Sequence, residues 1–127
     1  MKALNYLRVI TVANLIVSAG FSLAGIFNPS VLLLAATPVN SGTLVFALFA
    51  AARSVPLAIV ALFAITMRDK KPILILAVVG GMIQFADGFI GLYMHDLTKI
   101  IGPFALSVLT FAGIVMNWRP INSKNQF

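Results

Sequence analysis

Four stretches of this chain, residues 7–27, 43–67, 73–94 and 100–118, consist almost entirely of apolar side chains. A helix crosses the hydrocarbon core of a bilayer in about 20 predominantly apolar residues, so each stretch has the length of one crossing. The chain therefore reads as a single all-α domain, a polytopic membrane protein built as a four-helix transmembrane bundle. Composition agrees. Only 9% of the 127 residues are charged and 61% are hydrophobic, where soluble domains carry roughly 25% charged residues. An ordinary soluble fold is excluded.

The formal charge of +6 raises the question of a nucleic-acid surface, since clustered Lys and Arg bind phosphate. Placement answers it. Lys2 and Arg8 sit at the start of the first span, Arg68, Lys70 and Lys71 between the second and third, and Arg119 and Lys124 after the fourth. Lys99 alone falls in the other two connections. By the positive-inside rule both termini and the middle loop are expected in the cytoplasm, with residues 119–127 as a cytoplasmic tail. The charge sets orientation, and the expected partner is the lipid bilayer of a plasma membrane, a bacterial inner membrane, with no nucleic acid involved. Tyr6, Tyr93 and Trp118 all fall at span ends, the headgroup level that amphipathic rings prefer.

Lys2 and Arg8 ahead of an apolar stretch, with a small-residue site at Ser22-Leu23-Ala24, also fit a cleavable signal peptide. Asn14 interrupts that apolar region and the first span carries a polar stripe like the later ones, so the first span is expected to stay in the bundle. Cysteine is absent. That removes disulfides, thiol nucleophiles and thiolate metal sites.

Among the connections, residues 27–42 hold Pro29 and Pro38 around "SVLLLAAT", too short to cross and expected as a turn or two of helix at the interface, capping the outer mouth of the bundle. The short "RDKK" loop predicts that spans two and three are antiparallel neighbours. "HDLT" turns the chain on the outer side, and "RPINSKNQF" is polar and terminal.

At about 100° per residue a helical face recurs at i, i+3, i+4 and i+7. Thr11, Asn14, Ser18, Ser22 and Gly25 share such a face in span one, Gly80, Gln84, Asp87 and Gly91 in span three, and Pro103, Ser107, Thr110 and Asn117 in span four. Span two is less regular: Ala50, Arg53, Ser54, Ala61 and Ala64 share a face with Leu57 in its middle. Small or polar stripes backed by bulky apolar residues are what helices packing in lipid require.

Arg53 and Asp87 exceed that requirement, because either residue costs about 2.5–3.5 kcal/mol at the centre of a span. Counting inward at about 1.5 Å per residue puts Arg53 roughly 15 Å and Asp87 roughly 10 Å from the outer ends of their spans. Matched depths on neighbouring helices predict a charge-assisted Arg53–Asp87 pair. Pro56 frees the carbonyl of Ala52 beside it. Ser22, Arg53, Gln84, Asp87 and Ser107 together form the candidate ligand-binding site; the alternative is a structural ion pair that fixes helix register. His95 beside Asp96 offers too few ligands for a metal, and no phosphate loop, catalytic motif or haem ligand pair is present. No cofactor, metal or catalytic residue is expected.

The "NPS" turn at residues 28–30, "AAARSVPLAIVAL" in span two, "DGFIGLY" in span three and "GPFAL" in span four resemble the small four-span, DoxX-like membrane proteins, many of them without assigned function. The resemblance implies a four-helix membrane bundle with a polar centre, in which Arg53 and Asp87 match an Arg of span two and an Asp of span three that recur in such proteins. Some relatives are accessory subunits in quinone-dependent oxidation; nothing in this chain marks a quinone site. Three functions compete. The first is a non-enzymatic accessory subunit, or a binder of a lipophilic molecule with a polar head. The second is a small proton-coupled transporter exchanging its proton at Asp87; similar small exporters depend on a Glu in the first span, and this chain has no Glu. The third is an intramembrane isomerase or cyclase with protonated Asp87 as general acid, a state that a neighbouring Arg53 disfavours.

Overall fold

The computed structural model describes residues 2–34 and 36–118. Four helices, α1 (Lys2–Phe27), α2 (Ser41–Ala64), α3 (Lys71–Met94) and α4 (Leu97–Asn117), are joined by a 3-10 turn at Pro29–Leu32 and two short connections. Each of the four is long and apolar enough to cross a membrane, and there is no strand among the described residues. The chain has the form of a multi-pass membrane protein, and bulky apolar side chains such as Phe46, Phe63, Ile75 and Val115 cover its exterior. All four helices begin two to five residues earlier than hydropathy alone predicts and α2 ends three residues earlier, because helical backbone continues through polar flanks, helped by side-chain caps at α2 and α4. Asn40 supplies one for α2, accepting from the Thr43 N–H at 3.1 Å while its own N–H donates to the Thr43 hydroxyl at 3.1 Å, a reciprocal capping box.

α1 is the central helix and touches the other three. The close pairs are α1 with α2 and α3 with α4; α2 and α3 barely meet. This corrects the expectation that spans two and three are packed neighbours, and the connections explain it. Between α3 and α4 stand only His95 and Asp96. His95 adopts the left-handed conformation at φ 52°, and the Asp96 N–H returns to the Gly91 carbonyl at 3.2 Å, the Schellman closure that folds a helix end sharply. The α2–α3 connection is longer, and Arg8 of α1 holds it by donating from Nη2 to the Met67 carbonyl at 3.0 Å. Lys70 reaches the Asn117 carbonyl at 3.4 Å, and Asn117 Nδ2 donates to the Ala3 carbonyl at 2.9 Å. Two of the basic residues thus tie together the start of α1, the α2–α3 loop and the end of α4, which form one basic end of the bundle.

Small residues decide how near each pair comes. On α3, a Cβ at Gly91 would strike the Lys99 backbone, one at Gly88 would lie 2.8 Å from the Phe104 ring, and one at Gly81 would lie 3.2 Å from Phe111; all three glycines serve the α4 seam. Gly80 faces α1, beside Asn14 and Leu15. Phe85, Phe89 and Phe104 pack edge to face over this seam with centroids 5.1–5.8 Å apart. On α2 the buried stripe is Ala47, Ala51, Ser54, Ala58, Ala61 and Ala64. It lies to one side of the stripe expected from sequence, and Arg53 is left exposed at its edge.

Candidate functional site

Away from the basic end, the four helices surround a cavity of about 280 Å³. α1 contributes Val17, Ser18, Phe21 and Ser22; α2 contributes Arg53; α3 contributes Gln84, Asp87 and Ile90. α4 closes it with Thr98, Lys99, Pro103 and Leu106, and Leu32 of the 3-10 turn forms a further wall. Leu32 is seated there because it drops into the notch left by Gly25. The Asn28 carboxamide accepts from the Ser30 hydroxyl at the start of the same turn, and Pro29 occupies its first position, where a missing N–H is harmless.

Four of the five residues singled out from sequence, Ser22, Arg53, Gln84 and Asp87, line this one cavity. Ser107 does not. It is buried between α3 and α4 and donates to the Gly81 carbonyl at 3.0 Å, so its hydroxyl is used in packing. Ser22 is also satisfied within the protein, donating to the Ser18 carbonyl at 2.9 Å with Ser54 Oγ 2.8 Å away.

The remaining three polar groups differ from these. Arg53 and Asp87 share the cavity without touching: the one ion pair within 4.0 Å among the described residues is Lys99 with Asp96, at 3.3 Å. The predicted direct Arg53–Asp87 pair is therefore absent, and the reason is architectural. The two residues belong to helices that do not pack together, and Arg53 lies on the rim of the α2 alanine stripe instead of within it. Gln84 is only 4% exposed, yet its carboxamide has no hydrogen bond to any described residue, nor do the Arg53 guanidinium and the Asp87 carboxyl.

Lys99, Thr98 and Leu32 also belong to the cavity wall and were not apparent from sequence. For Lys99 a signal did exist. Pro103 has no N–H to return to the carbonyl four residues earlier, and that Lys99 carbonyl is turned toward Gly91; a glycine in one span and a proline four positions past a cation in the next mark such a close crossing, where a Cα–H can serve the freed oxygen. Lys99 is not a free charge, because Asp96 faces it. Asp96 itself caps α4, accepting from the Thr98 hydroxyl at 2.6 Å and the Thr98 N–H at 3.1 Å. The Thr98 hydroxyl above all, followed by Lys99, holds Asp96 below the usual carboxylate range.

Toward the basic end the buried polar groups are largely consumed by helix packing. Asn14 Nδ2 donates to Thr110 Oγ1 at 3.2 Å, and Thr110 donates to the Leu106 carbonyl at 2.7 Å; Asn14 Oδ1 and Thr11 Oγ1 are left without a partner, but neither lines the cavity. What the cavity offers chemically is recognition: a guanidinium with five N–H donors, a carboxyl that accepts, and a carboxamide that does both. Its two serine hydroxyls have no histidine beside them, and His95 lies outside the cavity lining. No protein-family model, curated protein or solved structure matches this chain.

Proposed function

We propose that this chain is a binding protein of the membrane, a receptor for a lipophilic molecule whose polar head enters the cavity, acting by itself or as an accessory subunit. Both termini and the α2–α3 loop face the cytoplasm in this reading, as the basic end predicts. The resemblance to DoxX-like proteins is compatible with it. The observation that carries the proposal is the trio Arg53, Gln84 and Asp87, which lines a cavity of about 280 Å³ and makes no hydrogen bond to the described residues. Gln84 is buried, Asp87 half-buried and Arg53 exposed at the rim; charged and polar side chains inside a span are costly unless they meet a partner or water, so a protein that keeps three around one space gains from whatever fills it. Apolar walls from Val17, Phe21, Ile90 and Leu106 suit the apolar part of such a molecule.

The test is native mass spectrometry and solvent extraction of protein purified in mild detergent, comparing the natural chain with Gln84→Phe, which fills the cavity. A co-purifying lipophilic species, near one per chain and depleted in Gln84→Phe, is expected. Identical profiles for the two proteins would refute the reading.

A further inference from the structure

Resting on the ligand reading above, we propose that the head received by this cavity is zwitterionic, carrying a phosphate and a primary ammonium in the manner of phosphoethanolamine, with the phosphate at Arg53 and the ammonium at Asp87. The charges on the wall point this way. Lys99 is offset by Asp96 at 3.3 Å, which leaves the cavity with one uncommitted cation, Arg53, and one uncommitted anion, Asp87, that do not meet each other. A purely anionic head would satisfy the guanidinium and bring a second negative charge into a confined space with Asp87. A purely cationic head would do the reverse at Arg53. A head that carries both charges on a short linker pairs with both at once, and each pairing is a charge-assisted hydrogen bond.

Gln84 adds an independent observation. It is 4% exposed, lines the same cavity one helical turn from Asp87 and has no partner among the described residues. Its N–H₂ can serve a phosphate oxygen and its carbonyl an ammonium, so it is matched to either half of a dipolar head. The acceptor at Asp87 also discriminates between zwitterions: an ethanolamine ammonium donates N–H bonds to it, whereas a trimethylated choline nitrogen has none to donate.

Size and placement fit a headgroup. The cavity is at the lower end of ligand-pocket volumes, roughly 300–1,000 Å³, too small for acyl chains. Val17, Phe21 and Ile90 line it while remaining 42%, 52% and 56% exposed, so the same side chains form cavity wall and lipid-facing surface. Chains can leave past them into the bilayer. Asp87 lies seven residues before the end of α3 at Met94, about 10 Å of helix, a depth a lipid head reaches without crossing the bilayer.

Delipidated full-length protein in detergent is titrated with dioleoyl phosphatidylethanolamine, phosphatidylcholine and phosphatidylglycerol, and with soluble phosphoethanolamine, binding being read by native mass spectrometry. Phosphatidylethanolamine is expected to bind roughly tenfold or more tightly than phosphatidylglycerol, with phosphatidylcholine between them. Asp87→Asn is expected to erase that preference, and Arg53→Gln to weaken both lipids. Phosphatidylglycerol binding as tightly as phosphatidylethanolamine in the natural chain would overturn the zwitterion proposal while leaving lipid binding intact, as would an Asp87→Asn protein that keeps the preference. Soluble phosphoethanolamine binding as tightly as the lipid would support the head chemistry and refute the lipophilic reading. Absence of binding by all four would refute both. The lipid ranking of the natural chain requires no variant to fold.

Discussion

The two sides of α3 are finished in opposite ways. Toward α4, a Cβ at Gly91 would strike the Lys99 backbone, one at Gly88 the Phe104 ring, and one at Gly81 would crowd Phe111, and Ser107 spends its hydroxyl on the Gly81 carbonyl. Toward α2 there is almost no contact, and Gln84 and Asp87 border a cavity that Arg53 of α2 also lines. Helices in lipid gain nothing from hydrophobic segregation and are held by close packing and interhelical bonds. One helix therefore shows both outcomes: where glycine lets backbone meet backbone, polar groups are consumed, and where it does not, they stay available.

Substitutions that exchange these characters should have unequal effects. The largest is expected at Gly91, because any side chain there meets the Lys99 backbone, which cannot yield as a side-chain tip can; Gly91→Leu should cost about 3 kcal/mol or more, read as loss of folded protein in size-exclusion and thermal unfolding in detergent. Gly20→Ala is the control. A Cβ at Gly20 meets nothing within 4 Å, so the substitution should stabilise α1 by up to about 1 kcal/mol. Equal damage from the two would mean that the α3–α4 seam is not a close-packed one.

On the cavity side, Gln84→Met should leave the empty protein at least as stable, since the Gln84 carboxamide borders the cavity and its replacement breaks no hydrogen bond within the protein, and should lower ligand binding in the same preparation. A fall in melting temperature would show that Gln84 is engaged within the protein. Ser107→Ala, on the packed side, should lose only about 0.6 kcal/mol, the usual worth of one interhelical hydrogen bond in a membrane, and leave binding untouched.

Much of this architecture is legible in the sequence because span length and stripe composition report directly on lipid and on packing. Thr11, Asn14, Ser22 and Gly25 are buried on α1 as their spacing predicts, and Met82, Phe85, Ala86 and Phe89 face outward on α3. Helix pairing was less legible. A short basic loop between spans two and three looks like a hairpin, but Arg8 bonds that loop to α1, a long-range contact that no local pattern encodes. The offset of the α2 stripe follows from the same cause: with Leu57 only partly buried, Ala47, Ala51 and Ala58 take the α1-facing side, and Arg53 is rotated off it. Periodicity places residues on faces, and partner choice then decides which face is central.

The turn between α3 and α4 offers a smaller effect. Asp96, held below its ordinary value chiefly by the Thr98 hydroxyl, contributes its cap fully above the ordinary carboxylate pKa of 3.8 and loses it as pH falls through the lowered folded value. Thermal unfolding followed from neutral pH downward should therefore show a modest Asp96-dependent loss confined to the region below 3.8, absent in Asp96→Asn. A loss beginning near neutrality would point to another group.

The most direct test of the open, ligand-ready cavity is a double-mutant cycle of Arg53→Gln and Asp87→Asn, measured by unfolding in detergent with and without added phospholipid. A coupling energy well below about 1 kcal/mol is expected in the delipidated protein, because the two groups act on each other only through space and not by contact, and a coupling of about 1 kcal/mol or more once a head bridges them. A coupling of that size in the absence of lipid would mean that Arg53 and Asp87 bind each other, and would contradict the account.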